Sequence, residues 1–154
     1  MRQTPEEKLS ARGTPLPEVA APVAAYVPAI VTGNYVYTSG QLPLINGELA
    51  AKGKVGAGIS ETEAAKCAEV ACLNALAAVK SVIGDLSRIK NVVKLTGFVA
   101  SDPAFVGQPA VINGASLLLQ EVLGEAGKHA RSAVGVAALP LDAPVEVELV
   151  VEVA

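Results

Sequence analysis

The sequence predicts an α+β fold in which two helices cover one face of a mixed β-sheet. Two segments repeat small and apolar residues at three-and-four spacing: Ala65, Ala68, Cys72, Leu76, Val79 and Ile83 in the first, Val111, Ala115, Leu118 and Val122 in the second. That spacing is the buried stripe of a helix covered on one side. Other segments alternate instead, and the clearest is Val145-Glu-Val-Glu-Leu-Val-Val-Glu152, which sends Val145, Val147, Leu149 and Val151 one way and Glu146, Glu148 and Glu152 the other. The order is hairpin, strand, helix, strand, helix, strand, strand, and no internal repeat marks a second domain.

Residues 1–20 are polar, contain prolines and show no sustained period. They read as a flexible N-terminal arm with one short helix over Pro5 to Ala11, ahead of a single domain over 21–154. Ala29 to Thr32 and Tyr35 to Ser39 flank a Gly33-Asn34 step, a hairpin signal. Leu42 to Ala50 turns at Asn46-Gly47, and residues 51–59 are rich in glycine and read as a loop. Ser60-Glu-Thr-Glu63 is a capping box, so the first long helix starts there and stops at Gly84. Val92 to Ala100 is a strand ended by Ser101-Asp-Pro103. The second helix begins near Pro109, a favoured first-turn residue, and stops before Gly124. Arg131 opens the last but one strand, through Ala137, and Val145 to Glu152 forms the last.

Composition narrows function before any motif is considered. Of 154 residues, 51% are hydrophobic, 18% charged and 3% aromatic, so the core is aliphatic and apolar surface remains to be hidden by oligomerisation. The formal charge of -3 and the absence of a Lys/Arg run argue against a nucleic-acid partner, since such binding rests on phosphate neutralisation. No stretch has the length of a membrane span and the start is charged, so no membrane partner and a cytoplasmic location are expected. Cys67 and Cys72, on one helix, point roughly 140° apart and cannot pair with each other. With one histidine and no Cys-x-x-Cys, a metal site is not expected, and both cysteines read as small apolar residues.

Arg131, Ala133, Gly135 and Ala137 share one strand face, and the small residues leave open space beside the guanidinium where a small anion could dock. If this strand paired directly with Val145 to Glu152, arginine and carboxylate would meet across the sheet. The face opposite the helices would then carry Arg131, Ala133, Gly135, Glu146 and Glu148, a mixture suited to burial against copies of the same subunit, with pockets at the boundaries. His129, close to Gly127-Lys128, reads as a loop histidine, and the alternative for Arg131 is a structural ion pair with Glu146 or Glu148.

From Tyr26 to the C-terminus the chain resembles the RidA/YjgF family of enamine/imine deaminases, also known as L-PSP endoribonucleases. The resemblance is carried by Ala130-Arg-Ser-Ala-Val-Gly-Val-Ala-Ala-Leu-Pro140 and Val145-Glu-Val-Glu148, with Gly33-Asn34, Thr38-Ser-Gly-Gln-Leu-Pro43 and Val92-Val-Lys-Leu-Thr-Gly-Phe-Val99 in support. It implies a chorismate-mutase-like sandwich, a homotrimer, and clefts between subunits that bind a small 2-imino or 2-keto acid. It further implies hydrolysis of short 2-imino or enamine acids to 2-keto acids and ammonia with no cofactor. Carried over by position, Arg131 grips the substrate carboxylate and Glu146 positions the attacking water. Tyr26, Ser39 and Asn113 line the pocket, with Glu148 supporting the arginine. The glycine-rich stretch between Gln41 and Ser60, the long segment from Phe98 to Asn113, the turn Pro140-Leu-Asp-Ala-Pro144 and Gly135 depart from well-known members and mark a divergent branch. A trimer that binds small carboxylates without turnover is the alternative. The acidic balance and the scarcity of aromatic residues weigh against an endoribonuclease.

Overall fold

In the computed structural model, which describes residues 2–22 and 25–154, five strands form one sheet. Strands β1 (Ala29–Thr32) and β2 (Tyr35–Thr38) pair antiparallel around Gly33-Asn34, where Gly33 takes φ 56°, the left-handed turn geometry that favours glycine. Two small pairs follow, β3 (Leu44–Ile45) with β4 (Glu48–Leu49) around Asn46-Gly47, and β5 (Lys54–Val55) with β6 (Gly58–Ile59). Helix α2 (Glu61–Ile83) leads to β7 (Ile89–Ala100), α3 (Gln108–Leu123), β8 (Ala130–Val136) and β9 (Val145–Val153). The sheet order is β1-β2-β9-β7-β8, with β8 parallel to β7 and the other neighbours antiparallel. Because α3 makes the crossover between β7 and β8, β8 lies at the sheet edge against that helix.

The alternation along β9 is realised residue by residue: Val145, Val147, Leu149, Val151 and Val153 are buried, while Glu146, Glu148 and Glu152 are partly exposed. In register with them, Val36 on β2 and Leu95 and Val99 on β7 complete an aliphatic layer under the helices. Each such fully buried side chain contributes about 1.5–3 kcal/mol relative to leaving it in water.

Helix α2 starts where the capping residue predicts, but only half of the box forms. The Ser60 hydroxyl accepts from Glu63 N at 3.1 Å, while the Glu63 carboxylate returns to that hydroxyl and not to the backbone. From Ala71 to Val79 every residue is buried, a wider face than the predicted stripe, because α2 packs on the sheet, on α3 and on β3. Asn74 on this buried stretch donates to the Leu42 and Leu44 carbonyls, both at 3.0 Å, so its amide is satisfied. The α2–α3 contact depends on Gly114, where a Cβ would stand 1.9 Å from the Ala65 carbonyl oxygen.

The segment expected to be a flexible arm makes contacts with the body over its first half. Helix α1 (Pro5–Ala11) carries a complete capping box between Thr4 and Glu7, and its Leu9 is fully buried. Arg12 Nη2 meets Glu69 at 2.8 Å and Glu121 at 3.3 Å, bridging α2 and α3.

Two sequence expectations about the sheet are corrected. Strands β8 and β9 are not neighbours, since β7 runs between them. Moreover, Arg131, Ala133 and Gly135 do not share a face with Glu146 and Glu148. In the ladders Leu95 aligns with Arg131 and Leu149, Gly97 with Ala133 and Val147, and Val99 with Gly135 and Val145. These rows point at the helices. The small residues of this face serve close packing: a Cβ on Gly97 of β7 would collide with the Ile112 side chain, and Ala133 of β8 lies against the core cluster. The opposite face carries Glu146 and Glu148 with Thr96 and Phe98, and leaves Ile30, Tyr35, Tyr37 and Val134 exposed.

Candidate functional site

Arg131 lies where β8 meets α3, and the helix supplies its partners. Asn113 and Ser116, three residues apart, sit on one side of α3. Arg131 Nη1 donates to Asn113 Oδ1 at 2.7 Å and to Ser116 Oγ at 3.2 Å. After α3 the chain doubles back tightly, since a Cβ on Gly127 would stand 2.1 Å from the Leu119 carbonyl oxygen. The doubling back carries His129 to Ser116, with Nε2 to Oγ at 2.8 Å and Nδ1 to the Gly127 carbonyl oxygen at 2.6 Å. A carbonyl only accepts, so Nδ1 carries a proton; neutral Nε2 then accepts from the Ser116 hydroxyl, whose oxygen accepts from Arg131. The order of donation runs from Arg131 to Ser116, to His129, to Gly127.

Among the described residues Arg131 makes no ion pair, so the structural pairing with Glu146 or Glu148 considered from sequence is not present in the chain. Both N–H groups of Nη1 are engaged while Nε and Nη2 make no bond among the described residues, and that edge can grip a carboxylate with two parallel bonds. Ala133 and Gly135 continue the row beside it, and Gly135 leaves room for the Gln108 amide, whose nitrogen would be 2.8 Å from a Cβ there.

A second cluster gathers on the other face. The Glu146 side chain lies over Gly40, where a Cβ would meet the carboxyl carbon at 2.8 Å, and Gln41 exchanges backbone bonds with Val147 at 2.8 and 3.0 Å. Ser39, next to Gly40, donates its hydroxyl to the Val27 carbonyl, which brings the Tyr26–Val27 segment to the same end of the sheet. Burial, and second the charge of Glu148, push the Glu146 carboxyl above the usual carboxylate range. The predicted residues thus form two groups: Arg131 with Asn113, and Glu146 and Glu148 with Ser39 and Tyr26.

The sequence reading omitted Ser116 and set His129 aside as a loop histidine. The available signal was spacing: Ser116 stands one helical turn after Asn113, and His129 shares strand parity with Arg131. Two concavities, of about 770 Å³ beside residues 13–21 and about 460 Å³ beside residues 2–8, reach none of these groups. Arg2 and Lys8 line the smaller one, but among the described residues no neighbouring side chain orients them as Asn113 and Ser116 orient Arg131, so the Arg131 cluster is the stronger candidate. Cys67 and Cys72 are buried free thiols pushed up by burial, and no group of metal ligands occurs among the described residues. No described helix is long and apolar enough to cross a membrane.

Comparison with known proteins agrees with this architecture. Residues 6–153 match the family described as "YjgF/chorismate mutase-like, putative endoribonuclease". Protein TCP17 of Trypanosoma cruzi is 44% identical over 141 residues, covering 91% of this chain and 88% of that protein. Protein Atu1372 of Agrobacterium tumefaciens, whose function is unknown, has a crystal structure that superposes with a TM-score of 0.92 at 48% identity, covering 97% of this chain and 92% of that one. A Shewanella oneidensis protein described as a "putative endoribonuclease" superposes with a TM-score of 0.95 at 38% identity, covering 98% of this chain and 100% of that one. With the fold and nearly the whole length in agreement, the chain belongs to the YjgF/chorismate mutase-like family.

Proposed function

We propose that this protein captures a short 2-imino acid through Arg131 and hydrolyses it, without a cofactor, to a 2-keto acid and ammonia. One observation carries the reading: a half-buried guanidinium with Nη1 tied to Asn113 and Ser116, no carboxylate partner, and the Nε–Nη2 edge left for a ligand. A charge-assisted bidentate contact there is worth about 1.5–3 kcal/mol and fixes the orientation of the substrate.

The chemistry needs little more. Water adds to the imine carbon as the C=N electron pair moves to nitrogen, which takes a proton. The resulting carbinolamine passes its hydroxyl proton to the nitrogen as the C–N bond breaks, releasing ammonia and leaving the 2-keto acid. Glu146, whose carboxyl is held above its usual range, is suited to take the water proton and return one to nitrogen. Within one chain Arg131 and Glu146 face opposite sides of the sheet, so the working site draws its halves from two copies. One supplies Arg131 and Asn113, the other Glu146, Ser39 and Tyr26, with Glu148 beside them. A homotrimer closes this arrangement, and the exposed Ile30, Tyr35, Tyr37 and Val134 give the face that would be covered.

The test is ammonia release from 2-aminoacrylate generated in place by a dehydratase, with wild type compared with Arg131→Ala and Glu146→Gln. Acceleration by wild type and its loss in Arg131→Ala support the proposal; equal rates remove it. The separation of cation and carboxylate in one chain favours, as a second reading, a trimer that binds 2-keto acids without turnover. Calorimetric pyruvate binding with no ammonia release would select it. Against RNA cleavage stands the net charge of -3, and cleavage that survived Arg131→Ala would belong to another site.

A further inference from the structure

We infer that Ser116 and His129 are positioning residues for Arg131, holding Nη1 so that the Nε–Nη2 edge faces the incoming carboxylate. The inference rests on the reading of Arg131 as the carboxylate anchor. Arginine can present either of two edges to a carboxylate, and a side chain free to rotate loses entropy when one is selected. Here Nη1 is consumed twice, by Asn113 at 2.7 Å and by Ser116 at 3.2 Å, which leaves one edge.

Asn113 is exposed, but the Ser116 contact is backed from behind. Ser116 is 6% exposed, its hydroxyl hydrogen is directed to His129 Nε2, and His129 is itself oriented by the Gly127 carbonyl. That order leaves the Ser116 oxygen as an acceptor toward the cation. A serine beside a histidine could also serve as a nucleophile, but Ser116 is buried and its oxygen is occupied by Arg131, so no substrate carbonyl can reach it.

The test has two arms. Without ligand, NMR of the arginine Nη groups reports whether Arg131 is held. Separate, slowly exchanging signals are expected in wild type, averaged signals in Ser116→Ala and His129→Ala, and recovery in His129→Gln, whose amide oxygen can accept from Ser116. With pyruvate, calorimetry should show binding weaker by about tenfold or more in Ser116→Ala and His129→Ala, the loss of one hydrogen bond to a charged group. His129→Gln should bind like wild type. If Arg131 signals and pyruvate affinity are unchanged in Ser116→Ala and His129→Ala while Arg131→Ala abolishes binding, the positioning role is overturned and the anchor stands. If wild type and Arg131→Ala bind pyruvate alike, the anchor itself falls and takes the positioning role with it.

Discussion

The two faces of the sheet carry the same kinds of residue to different ends. On the helix side, the polar groups at Arg131 are joined in a chain: Arg131 bonds Asn113 and Ser116, Ser116 bonds His129, and His129 bonds Gly127. On the open side, Glu146 and Glu148 stand near each other with no cation paired to them, among exposed Tyr35, Tyr37, Ile30 and Val134. The first face is ordered within one chain, with one edge of Arg131 left open. The second combines half-buried carboxylates with exposed apolar side chains.

The sharpest way to break this contrast is Arg131→Ala. If the helix-side cluster is a ligand anchor, the substitution lowers ammonia release by about a hundredfold or more, since orientation is lost along with affinity, yet leaves the melting temperature nearly unchanged. Steady-state assays beside thermal unfolding separate these effects; a large fall in melting temperature would make Arg131 a structural residue instead. Next in size is Gly114→Ala, which places a methyl group 1.9 Å from the Ala65 carbonyl oxygen at the crossing of α2 and α3. The helices must part, and urea unfolding is expected to show a loss of about 3 kcal/mol. A change under about 1 kcal/mol would mean that the crossing adjusts freely.

These two positions also show what could be read from the sequence. Local signals were sufficient for the elements: Ser60 starts α2, Gly84 ends it at φ 86°, and Gly33-Asn34 turns the hairpin. Sheet order was not legible, because alternation along a strand distinguishes two faces without identifying the neighbouring strand. Small side chains then misled the assignment of faces. Ala133 and Gly135 read as open space beside Arg131 on the face away from the helices, yet they face the helices in register with Gly97 and Val99, where Ile112 fills the space over Gly97. Strand alternation drew attention to Arg131, Glu146 and Glu148, while Asn113, Ser39 and Tyr26 came through family resemblance. Their separation into two clusters follows from the register across β7, which aligns Arg131 with Leu149 and Glu146 with Val134, and which no motif encodes.

Tyr37→Glu probes the open side alone. Tyr37 is 47% exposed, with Ile30 and Val150 as its ladder neighbours, so a charge there leaves the core of the chain intact. If this face is covered in a homotrimer, sedimentation should show assembly weakened by at least about tenfold, with secondary structure retained. Unchanged assembly would place the contact elsewhere.

The smallest expected effect is the most specific. Burial and the neighbouring Glu148 raise the Glu146 carboxyl in the folded chain, so the folded state holds a proton at pH values where the unfolded chain has lost it. Stability then falls as pH rises from the ordinary carboxylate range through the folded value, and the penalty is fully present above it. Glutamine has no charge to desolvate. Glu146→Gln should therefore raise the denaturation midpoint at neutral pH, and the gain should vanish in acid, where both carboxyl states are neutral. Glu148→Gln should act in the same direction but less, because it removes only the weaker of the two causes. Under dissociating conditions the gain should appear in full. In the assembled protein, if Arg131 of a neighbouring copy faces Glu146, the carboxylate acquires a counter-charge and the gain should shrink or reverse. A gain identical at all protein concentrations would leave the two half-sites apart, and the inter-subunit site with them.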